Sequence, residues 1–223
     1  MSAPASARLV DLSHVVEDGL ETYPGLPAPR ITAHLTHEES RARYAPGTSF
    51  HIGRIDMVAN TGTYLDTPFH RFPDGTDLAD LPLARVADLP AVLVRAPLEG
   101  RAIGAAALPT GELRGRAVLF DTGWCRHWGS PAYFSGHPFV SAEAAQELVR
   151  RGVALVGIDS LNIDDTQGGA RPVHTALLAA GIPIVEHLCG LGTLPPDGLR
   201  FFAVPVRVRG MGTFPVRAFA IVG

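Results

Sequence analysis

Nineteen prolines and 24 glycines are scattered along 223 residues without forming one tract, and this scatter is the tightest constraint on the fold. Proline lacks the N–H that a helix interior or central strand needs, and glycine weakens both. The apolar residues, 46% of the chain, must therefore be organised into many short elements joined by turns. Strand-like runs fall at Arg8–Leu12, Phe50–Ala59, Ala91–Val94, Ala117–Phe120, Ala154–Ile158, Ile182–Glu186 and Phe201–Val208. The clearest helix is Ala142–Arg151. Ser141 can cap it, Glu143 suits its positive end, Gly152 can stop it, and Ala145, Leu148 and Val149 give it an apolar stripe. A shorter helix is expected from His174 to Ala180, closed by Gly181. Strands in excess of helices predict an α/β or α+β layered fold. Length and apolar content predict one domain over residues 1–223.

Charge and motif content exclude several functions. The formal net charge is −3, so no basic surface invites nucleic acid. All 19 basic residues are arginine, which rules out a lysine Schiff base or lysine general base. The two cysteines, Cys125 and Cys189, are far apart and have no metal-like spacing, so free thiols are expected. The N-terminal Met1-Ser-Ala-Pro-Ala-Ser-Ala7 lacks the charged start and apolar run of a secretory leader, and no run of about 18 apolar residues suggests a membrane span. A soluble cytoplasmic protein is the expectation. No Gly-x-Ser-x-Gly elbow, phosphate-binding loop or dinucleotide fingerprint is present, which predicts no nucleotide cofactor.

The chemistry concentrates in Asn60-Thr-Gly-Thr-Tyr64-Leu-Asp66-Thr-Pro68-Phe-His70. On an extended backbone Asn60, Gly62, Tyr64 and Asp66 point to one face, with Gly62 leaving room for a close approach. Pro68 should end the strand and swing His70 back toward that face. An imidazole in such a cluster suits proton transfer, which makes His70 the first catalytic candidate. Asp66 is either a metal ligand or the carboxylate that orients His70. Glu186 continues the apolar face of Ile182 and Ile184, so it must be paired, liganded or exposed at a strand end.

These residues resemble a substituted form of His-x-Gly-Thr-His-x-Asp-x-Pro-x-His. That is the signature of the cyclase superfamily, which includes bacterial kynurenine formamidases, isatin hydrolases and some polyketide cyclases. Asp11-Leu-Ser-His14 and Tyr23-Pro-Gly-Leu-Pro27 resemble the family's opening. Asp121-Thr-Gly-Trp124, Trp128-Gly-Ser-Pro-Ala-Tyr133 and Val156-Gly-Ile-Asp159 resemble its middle blocks. His174-Thr-Ala-Leu-Leu178 and Ile184-Val-Glu186-His-Leu188 resemble its later metal-site segments. The resemblance implies a swivelling β/β/α domain, strand-rich with few helices. It also implies hydrolysis of a small amide or lactone with His70 as general acid/base, and a homo-oligomer, dimer or tetramer.

The chain departs from this signature where the two motif histidines become Asn60 and Tyr64. Amides and neutral phenols are poor zinc ligands. What the resemblance leaves is one divalent ion, zinc or manganese, at Asp66, His174 and Glu186. Asn60 is then expected to donate to a developing oxyanion, and Tyr64 to hydrogen-bond or protonate the substrate. Two other readings stay open: a metal-free cyclase, dehydratase or isomerase using His70, Asp66 and Tyr64, and a catalytically silent binding protein. Trp124, Trp128, Tyr133, Phe134 and Phe72 are candidates to wall an aromatic substrate, with core packing the competing role for Trp124. His14, His187 and Asp159 are secondary pocket candidates, His51 should face away, and Asp164 and Asp165 read as solvated loop acids.

Overall fold

The computed structural model describes residues 7–96 and 100–223; residues 1–6, most of the segment read above for a leader, lie outside them. The strands are β1 (Arg8–Asp11), β2 (Arg30–Leu35), β3 (Ile52–Asp56), β4 (Tyr64–Asp66), β5 (Leu89–Arg95), β6 (Ala102–Ile103), β7 (Ala117–Asp121), β8 (Phe139–Val140), β9 (Leu155–Ile158), β10 (Ile184–Glu186), β11 (Leu199–Phe202), β12 (Thr213–Pro215) and β13 (Phe219–Val222). The helices are α1 (His37–Arg41), α2 (Ala142–Arg150) and α3 (Pro172–Ala179). Nine strands form one sheet in the order β1-β13-β11-β5-β7-β9-β10-β4-β12. Its centre, β5-β7-β9-β10, is parallel, and antiparallel strands extend it on both sides. The molecule is a strand-rich α/β structure, and none of its described helices is long and apolar enough to cross a membrane.

The central strands are apolar on both faces because both faces are covered, as parallel sheets require. Along β7, Ala117 and Leu119 enter a core shared with Leu65, Val185 and Phe201. Val118 and Phe120 enter a second core with Ala145 and Leu148 of α2 and Leu177 of α3. Burying one such side chain stabilises by roughly 1.5–3 kcal/mol.

Ser141 caps α2 by accepting from Ala144 N at 3.1 Å, as the sequence predicts. α3 begins two residues earlier than read, at Pro172. Proline suits the first helical position because its missing N–H would be unpaired there anyway. The run expected at Phe50–Ala59 shortens to β3, which pairs only with β2 in a hairpin and is exposed at every residue. The run at Phe201–Val208 stops at Phe202 and instead starts earlier, at Leu199.

Candidate functional site

The motif strand is shorter than its alternation suggests. Only Tyr64–Asp66 pairs as strand, and Gly62 turns at φ +66°. Nor does a ligand fill the space beside Gly62. Its N–H donates to Thr22 Oγ1 at 2.8 Å, and an added Cβ would meet Val16 Cγ2 at 2.8 Å.

Sheet register builds the rest of the site. β4 lies between β10 and β12, with Tyr64 opposite Glu186 and Asp66 opposite both Ile184 and Thr213. Directly opposed residues are close enough for side-chain contact. The Tyr64 hydroxyl donates to Glu186 Oε2 at 2.7 Å, and the Thr213 hydroxyl donates to Asp66 Oδ1.

Pro68 then opens a single turn of 3₁₀ helix, Pro68–His70, which returns His70 to this cluster. His70 Nδ1 lies 2.8 Å from Thr213 Oγ1 and 3.5 Å from Asp66 Oδ1. With the Thr213 hydrogen on Asp66, His70 Nδ1 carries the proton that Thr213 accepts, which in a neutral imidazole leaves the lone pair on Nε2. Thr213 thus belongs to the candidate site, and the sequence reading did not mark it. The turn itself is wedged between two glycines. A Cβ at Gly212 would fall on the backbone of His70 (Cα at 2.6 Å), and one at Gly75 would fall on Pro68 O (2.7 Å) and Phe69 N (2.8 Å).

His174 enters from the first turn of α3. Asp164 accepts from Val173 N (2.8 Å), His174 N (3.0 Å) and His174 Nδ1 (2.7 Å). Asp164 is therefore not the solvated loop acid expected; it is buried and orients an imidazole. Its fixed partner directs His174 Nε2 to Asp66 Oδ2 at 3.8 Å and Glu186 Oε1 at 3.6 Å. Burial alone would lower the His174 pKa, but the hydrogen bond to Asp164 and the nearby carboxylates of Asp66 and Glu186 raise it to about 10. Burial raises the Glu186 pKa against the opposing pull of His174. It also holds Tyr64 far above the usual phenol range, so Tyr64 remains a hydrogen-bond donor.

A cavity of about 390 Å³ is lined by Asn60, Tyr64, His70, Asn162, His174 and Glu186, and walled by the Tyr23-Pro24-Gly25-Leu26 segment. The geometry thus brings together all the polar candidates of the motif with His174 and Glu186. It does not bring the expected aromatics there. Tyr133 is fully buried, with its hydroxyl 2.8 Å from His187 Nδ1. Trp124 donates Nε1 to the Tyr133 carbonyl at 3.0 Å, and Phe72 borders a separate cavity beside Pro68 and Gly181. These three side chains are spent on packing, and Tyr23 and Leu26 stand where they were expected. Asn162, unremarked in the sequence, lines the cavity.

The remaining candidates lie outside the cavity. His187 is buried, with Nε2 3.3 Å from the Tyr64 hydroxyl, and burial lowers its pKa to about 3. His14 stacks on Trp128 at 3.9 Å, and His51 is exposed near His37. Asp159 is buried against Thr122 N at 2.9 Å, and burial raises its pKa to about 6. Asp165 pairs with Arg101 at 2.7 Å. Cys125 and Cys189 are free thiols whose pKa values burial raises to about 11.

His137, outside the cavity with Nε2 3.1 Å from the Asp164 carbonyl, gives a stability prediction. It is buried, and burial together with the Arg101 charge lowers its pKa to about 4. Between about pH 6.5 and pH 4 the unfolded chain binds the proton and the folded one does not, so stability falls as pH drops through that window. In His137→Gln, the loss of unfolding free energy between pH 7 and pH 4.5 should shrink by roughly 2 kcal/mol, measured by urea denaturation. An unchanged loss would contradict the burial argument.

The donor set fits one metal ion and not two. Asp66 Oδ2 is buried without a hydrogen-bond partner and faces His174 Nε2, whose other nitrogen is held by a carboxylate in the usual outer-shell arrangement. Asp66, His70 and His174 offer ligand atoms that all lie within 4.8 Å of one another. Glu186 is not one of these three, but its Oε1 lies 3.6 Å from His174 Nε2 and keeps a second lone pair beside the bond it accepts from Ile163 N at 2.7 Å. Where the signature has its two histidines, Tyr64 is committed to Glu186 and the Asn60 amide lies beside the Tyr64 hydroxyl.

Residues 10–165 match the family described as putative cyclase. The chain belongs to the cyclase family. This cyclase-family chain is 27% identical over 216 residues to a kynurenine formamidase of Bacillus cytotoxicus, covering 94% of this chain and 95% of that one. Among solved structures it superposes on isatin hydrolase A of Labrenzia aggregata with a TM-score of 0.81 at 21% identity, covering 97% of this chain and 94% of that one. A protein described as a potential metal-dependent hydrolase with cyclase activity gives a TM-score of 0.79 at 26% identity, over 98% of this chain and 99% of that one. The fold of the cyclase family is therefore shared over nearly the whole length.

Proposed function

We propose that this cyclase-family member hydrolyses a small non-peptide amide, of the formamide type, or a lactone. The observation that carries the reading is the placement of His70. In the neutral imidazole its Nε2 carries the lone pair, and the ring lines a cavity with His174 and Glu186 while Asp66 lies buried 3.5 Å from its Nδ1. The amide hydrolases among its relatives support the same chemistry.

In this reading His70 Nε2 takes a proton from the attacking water and returns it to the leaving group, a role worth roughly 10²–10⁴-fold in rate. Thr213 and Asp66 hold the His70 tautomer. The Asn60 amide is the donor for the oxyanion, and Tyr64, already donating to Glu186, fixes that carboxylate. A divalent ion, zinc or manganese, held by Asp66, His174 and Glu186 would supply Lewis-acid polarisation of the carbonyl and acidify a water.

A second reading rests on the hydrogen bonds that both Glu186 oxygens already accept, from Tyr64 and Ile163. Under it the protein is a metal-free cyclase, dehydratase or isomerase with His70 as base. Metal analysis of chelator-free protein, combined with a panel of aryl formamides and lactones, separates the two. Expected are a bound ion and hydrolysis that is lost on exhaustive chelation and restored by zinc or manganese. Hydrolysis that survives chelation in ion-free protein removes the metal and leaves a metal-free hydrolase, whereas no turnover across the panel overturns the hydrolase and leaves the second reading.

The homo-oligomer expected from the family has a surface to use. The β2–β3 hairpin exposes Ile31, Phe50, Ile52 and Ile55, and an isolated two-stranded hairpin is marginally stable in water. A dimer or tetramer covering these side chains is the proposed solution state.

A further inference from the structure

A second, smaller cavity of about 110 Å³ is lined by His70, Arg71, Asn162, Arg171 and His174. It shares His70, Asn162 and His174 with the larger one. A group seated there therefore lies directly beside the reacting centre. What distinguishes this annex is its hydrogen-bonding character. Arg171 is fixed by Nη1, which donates to the carbonyls of Asp165 (3.3 Å), Gly168 (2.7 Å) and Ala170 (2.8 Å). Its Nε and Nη2 have no protein acceptor among the described residues. Arg71 donates Nε to Thr175 Oγ1 at 3.2 Å, and its two terminal nitrogens have no acceptor among the described residues. Asn162 uses its side-chain oxygen to accept from Asp164 N at 3.0 Å, which leaves its NH₂ group as the available end.

Some arginines of the chain pair with acids, among them Arg95 with Asp121 at 2.9 Å, Arg101 with Asp165 at 2.7 Å and Arg200 with Asp88 at 2.8 Å. Among the described residues neither Arg71 nor Arg171 has a carboxylate partner. Two guanidinium groups with spare N–H donors and no carboxylate partner, together with an amide donor, bring positive charge and donors to one small space with no acidic side chain in its lining. Guanidinium groups bind planar carboxylates through paired N–H donors. A water molecule's share of liquid volume is about 30 Å³, so the annex has room for a carboxylate and its adjoining carbon, while a ring stays in the larger cavity.

We infer that this annex is a carboxylate subsite, with Arg71 and Arg171 its cations. The inference deepens the hydrolase reading and rests on it for the reaction. The substrate is then an acid whose carboxylate lies a few bonds from the scissile carbonyl.

Binding can be read without turnover. Benzoate and benzamide, titrated calorimetrically into the purified protein, share a ring and differ in charge. Wild type should bind benzoate at least tenfold more tightly. In Arg71→Gln, and separately in Arg171→Lys, which keeps a cation near the loop carbonyls, that preference should fall by roughly ten- to a hundredfold. Equal binding of the two compounds by wild type, or a benzoate preference unchanged in Arg71→Gln, overturns the subsite. Turnover is scored separately with a carboxylate-bearing aryl formamide and its methyl ester. Hydrolysis of both at equal kcat/KM sinks the subsite alone. Retained benzoate selectivity with no hydrolysis of either sinks the reaction and leaves the subsite standing.

Discussion

A His70→Ala protein should lose roughly 10²–10⁴-fold in kcat/KM, the range for removing a positioned general acid/base, while its thermal midpoint stays within a few degrees of wild type. The two halves of this expectation share one cause. His70 sits on a turn with its side chain 34% exposed, so the fold gains little from its burial. Its value lies in orientation: Nδ1 is fixed by Thr213, which is itself committed to Asp66. Steady-state kinetics on any substrate the wild type turns over, with a parallel melt, checks both. Activity within tenfold of wild type would remove His70 from the mechanism. A large drop in midpoint would instead make it a structural residue.

Gly212→Ala should cripple the enzyme without touching any polar group of the site. A Cβ at this position lands on backbone atoms of His70 and Phe69, which cannot rotate away as a side-chain tip can. Either the Pro68–His70 turn or β12 must shift. The turn is further held there by Thr67 N donating to Gly212 O at 2.7 Å. Displacing a catalytic group by about 1 Å can cost on the order of 100-fold in rate. Overpacking at a rigid contact typically costs about 1–3 kcal/mol in stability. The expected result is therefore a soluble protein with kcat reduced about a hundredfold and a lowered denaturation midpoint. Wild-type kinetics in Gly212→Ala would mean that the turn tolerates displacement and that His70 does not depend on its clamp.

Asp164 and Thr213 show where legibility stops. Asp164 stands in a polar run, Asn162-Ile-Asp-Asp165, whose composition reads as surface loop. In the fold that run passes beneath the first turn of α3, where one carboxylate meets two backbone N–H groups and the His174 ring. Thr213 is 143 residues from the His70 it orients, and nothing in Gly210-Met-Gly-Thr213 marks it. Trp124, Tyr133 and Phe72 fail for the opposite reason. Aromatic side chains in loop-like sequence can be buried as readily as exposed, and their depth is set by what the loop folds against.

The sequence by itself determined the central strands, helix α2 and the reactive cluster. Period-two apolar runs, the Ser141 cap and the Asp-x-Pro-x-His spacing are local signals, set by steric and hydrogen-bonding rules acting over a few residues. Only the tertiary structure decided which oxygen and nitrogen atoms meet. The pairing of β4 between β10 and β12 fixes Tyr64 on Glu186 and Thr213 on Asp66, and two glycines hold the His70 turn against that sheet. Those contacts depend on strand register and close backbone approach between segments more than a hundred residues apart, and no local preference encodes either.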